Sequence, residues 1–111
     1  MTIRAAVLIQ SKVAEPSVTP QYTASNSQAL IDKFTAVNYS GTTATLTVYL
    51  VPTGDTPSDA SAVVRAKALL PNETYLFPEV VGHVLNPGNY IATAASAAAS
   101  IAIRASGREV T

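Results

Sequence analysis

The chain has no cysteine and no tryptophan, one histidine (His83), one methionine, and only 13% charged residues among its 111. Without cysteine, disulfides and thiolate metal sites are excluded, so the fold must hold by burial and hydrogen bonding. One histidine cannot build a multi-histidine metal centre within a single chain. The missing tryptophan removes a residue that glycan-binding sandwiches commonly display. No segment approaches the roughly 20 apolar residues of a membrane-spanning helix. The charged fraction is about half the usual quarter, and seven basic side chains cancel seven acidic ones. A nucleic-acid binder would carry a basic patch over the phosphates, and this balance argues against one. A neutral, weakly charged surface does little to keep a free monomer apart from its neighbours. It suits a protein packed against copies of itself or a larger assembly.

Catalytic signatures are also missing. There is no GxSxG element, P-loop or dinucleotide-binding glycine pattern. Glu73 with Glu79, or Asp55 with Asp59, are the carboxylate pairs that spacing permits. Each of the four sits in or near a turn, where acidic side chains ordinarily cap backbone groups or face water. The reading is of a non-enzymatic protein with no cofactor and no metal.

What is present is β-structure. One domain spans residues 1–111, large enough to bury a core. The clearest strand is 44–51, where Leu46, Val48 and Leu50 alternate with Thr45, Thr47 and Tyr49, aliphatic inward and Thr/Tyr outward. Residues 3–10 read as a strand or extended arm rather than a signal segment, and 12–20, with Pro16 and Pro20, as a loop or an extended polar linker. Residues 1–20 are thus a candidate N-terminal strand or arm, of which 1–13 is able to extend a neighbour's sheet by strand addition. Residues 21–24 begin a short strand. Residues 29–39 put apolar and charged side chains on both faces, which calls for a bulge or two-sided burial.

Ser40-Gly41-Thr42 reads as a hairpin turn, and 52–61 as a polar loop. Residues 61–70 have helical propensity, but they also alternate and precede Pro71, which favours a strand. The turns Pro71-Asn72-Glu73 and Asn86-Pro87-Gly88-Asn89 each precede a β-prone run, 74–77 and 90–92, as expected where strands pass between layers. Residues 92–100 are nearly all alanine and serine. A helix there would bury no large side chain, so a strand running into a small-residue loop is expected. Residues 100–106 form a last strand, ended by Gly107, and 108–111 are a short tail or a final strand residue pair. The sum is an all-β fold: an antiparallel β-sandwich or jelly roll of seven or eight short strands.

The succession YTASNSQALIDKFTAVNYSGTTATLTVYLVPTG, LLPNETYLFPEVVGHVL, NPGNYI and IRASGREV resembles small virion proteins of tailed bacteriophages. In those proteins an Ile-Asp-Lys strand, a Ser-Gly-Thr hairpin, a Leu-Val-Pro strand end and a Pro-x-Glu-Thr-Tyr turn recur in this order. The likeness covers about residues 22–110. It implies a virion structural protein, assembled in the host cytoplasm. The foremost reading is a capsid decoration (cement) protein that bridges major capsid subunits as a dimer or trimer. The alternatives are a tail-side adaptor of baseplate, collar or fibre, and a receptor- or glycan-binding module. None of these motifs marks a catalytic or ligand site, so no functional residue transfers. The candidate interface residues come from the strands themselves: Ile3, Val7, Thr45, Thr47, Tyr49, Tyr75 and Tyr90. Tyrosine is enriched at interfaces, and uncharged Thr-rich faces do little to prevent association. Tyr75, Phe77 and Tyr90 are expected to form one rigid corner.

Overall fold

The computed structural model describes residues 2–111. Nine strands form two antiparallel sheets: β1 (Ile3–Val13), β2 (Thr19–Thr23), β3 (Gln28–Asn38), β4 (Ala44–Val51), β5 (Ala62–Leu69), β6 (Thr74–Tyr75), β7 (Val84–Leu85), β8 (Tyr90–Ala95) and β9 (Ile101–Val110). The first sheet runs β1-β9-β3-β6, with β7 also on β3; the second runs β2-β8-β4-β5. Both β6 and β7 lie antiparallel to β3, so they are fragments of one edge strand interrupted by residues 76–83. Counted that way, the pairs β1·β9, β2·β8, β3·β6/β7 and β4·β5 are nested, first with last and inward to the middle. A long hairpin rolled up so that its pairs alternate between two sheets is a jelly roll.

That nesting explains the turns. Pro71-Asn72-Glu73 carries the chain from β5 in one sheet to β6 in the other, and Asn86-Pro87-Gly88-Asn89 carries it back from β7 to β8. The Ser40-Gly41-Thr42 turn is not a hairpin: it arches from β3 to β4, which lie in different sheets. Its geometry is set by Asn38, fully buried at the end of β3. The Asn38 amide donates to Thr42 O (2.8 Å) and Leu69 O (2.9 Å). Its Oδ1 accepts from the Ser40 N–H and hydroxyl. One side chain thereby joins the arch to the end of β5, every polar atom satisfied.

Between the sheets lie Ile31, Phe34, Leu46, Val48, Leu69, Phe77, Ile91, Ile101 and Ile103, all essentially inaccessible. Burying each is worth about 1.5–3 kcal/mol, whereas an exposed ion pair contributes about 0–1 kcal/mol. Burial therefore dominates. The excursion 76–83 contributes to it by tucking in Phe77 and Val80; the Phe77 ring meets Phe34 and Tyr75 edge-on at 5.2 and 4.7 Å.

Several expectations need correction. Of the segment 12–20 only residues 14–18 are loop: β1 continues to Val13 and β2 begins at Thr19. Residues 3–13 are no free arm, because β1 is paired with β9 along its length and closed by reciprocal Thr2–Thr111 backbone bonds. Of 74–77 only Thr74–Tyr75 is strand. Gly107 does not end β9, which runs on to Val110. It sits mid-strand because a Cβ there would lie 1.9 Å from the Leu30 carbonyl oxygen and 3.1 Å from Leu8 Cδ1. By contrast, the 92–100 segment is a strand to Ala95 followed by a small-residue turn, and 62–69 is a strand, not a helix.

Two outcomes are expected in urea unfolding. Gly107→Ala should lose at least about 2 kcal/mol, because a backbone oxygen cannot yield as a flexible side chain would; Gly41→Ala, with open space around it, should stay within about 0.5 kcal/mol. A Gly107→Ala variant as stable as the parent would show that the sheet tolerates the extra methyl. Asn38→Ala should cost about 2–3 kcal/mol by removing the amide that joins Thr42 O to Leu69 O and the acceptor of the Ser40 N–H, and an unchanged midpoint would remove Asn38 as the organiser of the arch.

Candidate functional site

Among the described residues no three His, Cys, Asp or Glu side chains gather where a metal ion could be held. His83 is exposed. Glu73 and Glu79 do not pair. Glu73 Oε1 accepts the Leu70 N–H (2.8 Å), closing its own turn, while Glu79 accepts the Tyr75 hydroxyl at 2.8 and 3.1 Å. Asp59 instead lies 3.6 Å from Arg65. The broadest surfaces the molecule presents are its two outward sheet faces.

The outer face of the second sheet is built by β2, β8 and β4, whose sequences TPQYT, YIATAA and ATLTVYLV contain no charged residue. Alternation turns Leu46 and Val48 inward and Thr45, Thr47 and Tyr49 outward, each half-buried. Opposite them on β8 stand Ala94 beside Thr47 and Ala92 beside Tyr49; Tyr90 stands beside Val51. Val51 and Ala92 are buried although they lie outside the main core. They are roofed where the loop after β4 folds back: the Tyr90 hydroxyl donates to Asp55 O (3.1 Å), and the Thr53 N–H to Asn89 Oδ1 (3.0 Å). The Thr47 hydroxyl accepts the Ala66 N–H (2.9 Å), holding a kink in β5 where Ala66 has φ = 51°. The remainder of the β4 and β8 face is threonine, alanine and tyrosine.

The outer face of the first sheet is different. Register places Ile3, Val110 and Gln28 in one row, Ala5, Arg108, Leu30 and Val84 in the next, then Val7, Ser106 and Lys33. Ile3, Val7, Leu76, Val81 and Val84 are exposed, from 40% (Val81) to 58% (Ile3). A bulge between Ile31 and Lys33 in β3 pushes Asp32 outward, where Arg108 grips it with two bonds of 3.0 Å. Asp32 lines two open depressions. One, of about 480 Å³, lies over Ala5, Val7, Ser106 and Arg108; the other, of about 260 Å³, lies against Lys33, Leu76, Pro78 and Val81.

The seven candidate interface residues thus fall into separate groups. Ile3 and Val7 lie on the first face; Thr45, Thr47, Tyr49 and Tyr90 lie on the second. Tyr75 is half-buried at the sandwich edge, beneath the Lys67 ammonium at 4.6 Å. The expected Tyr75–Phe77–Tyr90 corner is therefore divided between two sheets. Sequence reasoning missed the Leu76, Val81 and Val84 side of the first face. The exposure of those residues follows from the interrupted β6/β7 edge, which no periodicity announces.

The two sheets are tied at one end by a polar chain. Tyr22, from β2, donates its hydroxyl to Glu109 Oε2 (2.6 Å) on β9, and Glu109 Oε1 pairs with Arg4 of β1. These bonds hold the Glu109 carboxyl below its ordinary range. Burial, and then Glu109, push the Tyr22 phenol well above its own, so it remains a donor.

Compared with known proteins, the chain matches no protein-family model, no curated protein and no solved structure.

A pH dependence follows from the tie. Glu109 titrates lower folded than unfolded, so its stabilisation is complete above the ordinary carboxylate range and is lost as pH falls through that range and below it. Glu109→Gln should lower the unfolding midpoint at pH 7 and flatten its decline between about pH 5 and 3. An acid limb identical to the parent's would mean that Glu109 contributes nothing to acid sensitivity.

Proposed function

We propose that this protein is a structural component of a bacteriophage virion, a capsid decoration subunit that adheres to the shell through its surfaces. The single observation that most supports this reading is the charge-free plane of β2, β8 and β4. The centres of protein interfaces are depleted of charge and enriched in aromatic residues, and a plane of Thr45, Thr47, Tyr49 and Ala94 has that character. The jelly roll is compatible, since this architecture serves viral capsid and lectin domains. The resemblance over residues 22–110 supplies the virion and its major capsid protein as the partner. In this reading the action is adhesive. A subunit that binds only the assembled shell stabilises it by mass action, and many copies raise the free energy needed to separate neighbouring capsomers.

Purified particles test this. The protein should be present in many copies over the shell and should delay heat-induced rupture. Thr45→Lys with Ala94→Lys, two charges set on the plane, should leave the isolated protein folded and reduce shell occupancy at least about tenfold, the cost of desolvating unpaired charge. A few copies confined to the tail would instead indicate an adaptor, and saccharide binding by the isolated protein would indicate a receptor-binding module. Absence from particles would remove the virion reading.

A further inference from the structure

We infer that the partner of the charge-free face of β2, β8 and β4 presents a lysine or arginine opposite Asp55, and that this ion pair sets the register of docking. The inference rests on the reading of that face as the contact surface and adds the chemistry of what meets its border.

Placement is the first argument. The loop after β4 folds back over Val51 and Ala92, and its backbone is fixed as far as Asp55. The Asp55 N–H donates to Pro52 O (3.1 Å), and Asp55 O accepts the Tyr90 hydroxyl from the face itself. The Thr53 hydroxyl lies 3.0 Å from Pro87 O and 3.1 Å from Asn89 Oδ1. Gly88 makes room for this seat, since a Cβ there would lie 2.3 Å from Thr53 Oγ1. Asp55 is thus carried to the rim of the face on ordered backbone, while the residue stays exposed. A charge presented this way needs little further ordering of its loop to meet a partner.

Charge is the second. Strands β2, β8 and β4 bring no charged residue to the face. Asp55 has no ion-pair partner among the described residues, whereas Asp59, further along the same loop, lies 3.6 Å from Arg65. One unmatched carboxylate therefore stands beside an uncharged surface. A partner without a cation there would strip water from it without replacing those bonds. A lysine or arginine would supply a charge-assisted bond, and partners are discriminated by that difference.

Orientation is the third. The opposite face of the sandwich carries Lys33, Arg104 and Arg108 against Asp32 alone. On the loop side Asp55 and Asp59 outnumber Arg65. With a formal net charge of zero, the molecule is therefore polar through its thickness. A cationic surface attracts the Asp55 side and repels the other, so approach and contact favour the same face.

Binding of the isolated full chain to shells freed of their own copies tests the inference, read at about 50 and about 500 mM NaCl. The parent should bind more weakly at the higher salt. Asp55→Asn should weaken binding about two- to fivefold at the lower salt, mainly by slower association, and should remove most of the salt dependence. Asp55→Lys should weaken it at least about tenfold, since like charges then meet. Asp59→Asn, whose carboxylate is already matched, should stay within about twofold. The fold uses only the backbone of Asp55, so both Asp55 variants should keep the parent's urea midpoint. Asp55→Asn binding as the parent does at both salts, or Asp55→Lys binding as tightly, would overturn the inference. If Thr45→Lys with Ala94→Lys still abolishes that binding, the face remains the contact surface and only its charged border falls. Shells that take up no parent protein would overturn both readings.

Discussion

The constraint on which the fold depends is the close approach of the β3 backbone at Leu30 to Gly107 of β9, with the Leu8 side chain of β1 packed beside it. Strand β9 runs straight, keeping Ile101, Ile103, Ala105 and Gly107 on one face without interruption. Its two neighbours both break step beside it. In β1 the register shifts between Val7 and Ile9, opposite Ser106 and Ala105; in β3 it shifts between Ile31 and Lys33, opposite Gly107 and Ser106. Each bulge changes the phase of its strand. Without that change Ile31 would point away from the core that receives Phe34 and Ala36, since side chains alternate with period two. The bulge also brings the Leu30 carbonyl so near β9 that no side chain fits there. Burial of β3 on both sides of Asp32, the tightness at Gly107 and the outward thrust of Asp32 are therefore one feature, and the Asp32–Arg108 pair on the outer face is its consequence.

This origin explains what the sequence discloses and what it hides. The alternation of Leu46 and Val48 with Thr45, Thr47 and Tyr49 is visible because β4 is unbulged where it meets β8. The mixed faces of residues 29–39 signal a bulge, but alternation cannot place it, because Asp32 and Lys33 could each be the extra residue. In β5 the kink at Ala66 breaks the same code: Val63 and Val64 both turn toward the core and Leu70 is left exposed. Gly107 misleads for a related reason. Glycine ordinarily ends a strand, and only a neighbouring chain, 76 residues earlier at Ile31, shows why one is needed in its middle. Ser40-Gly41-Thr42 reads as a hairpin because local sequence records that the chain turns and not which sheet it enters. The nested pairing of first strand with last is set by contacts across the whole chain.

The candidate surfaces divide along the same line. The charge-free plane of the second sheet is legible directly, since three of its four strands lack charged residues. The apolar face of the first sheet is only half legible, as Ile3 and Val7. Its other half, Leu76, Val81 and Val84, comes from a short stretch that also sends Phe77 and Val80 inward. Such a segment has no period to read; its inward and outward residues are sorted by a left-handed Phe77 and by the Gly82 turn, with φ of 45° and 92°.

A sandwich can associate by its edges or its faces, and here the edges are closed to regular pairing. An open strand edge is a template for another chain unless it is short, bulged, charged or interrupted by proline. The four edges use these devices separately. β1 is bulged twice, β2 is five residues long and contains Pro20, β5 is kinked at Ala66 beside Arg65, and the β6/β7 edge is broken by residues 76–83. Arg4 and Tyr22, both bound to Glu109, also hold the start of β1 within its own molecule, which opposes its release as a donated strand. What is left open is two broad faces, one uncharged and hydroxyl-rich, the other apolar around a neutralised ion pair. Blunted edges thus leave two unlike faces, on opposite sides of the sandwich, as its widest exposed surfaces.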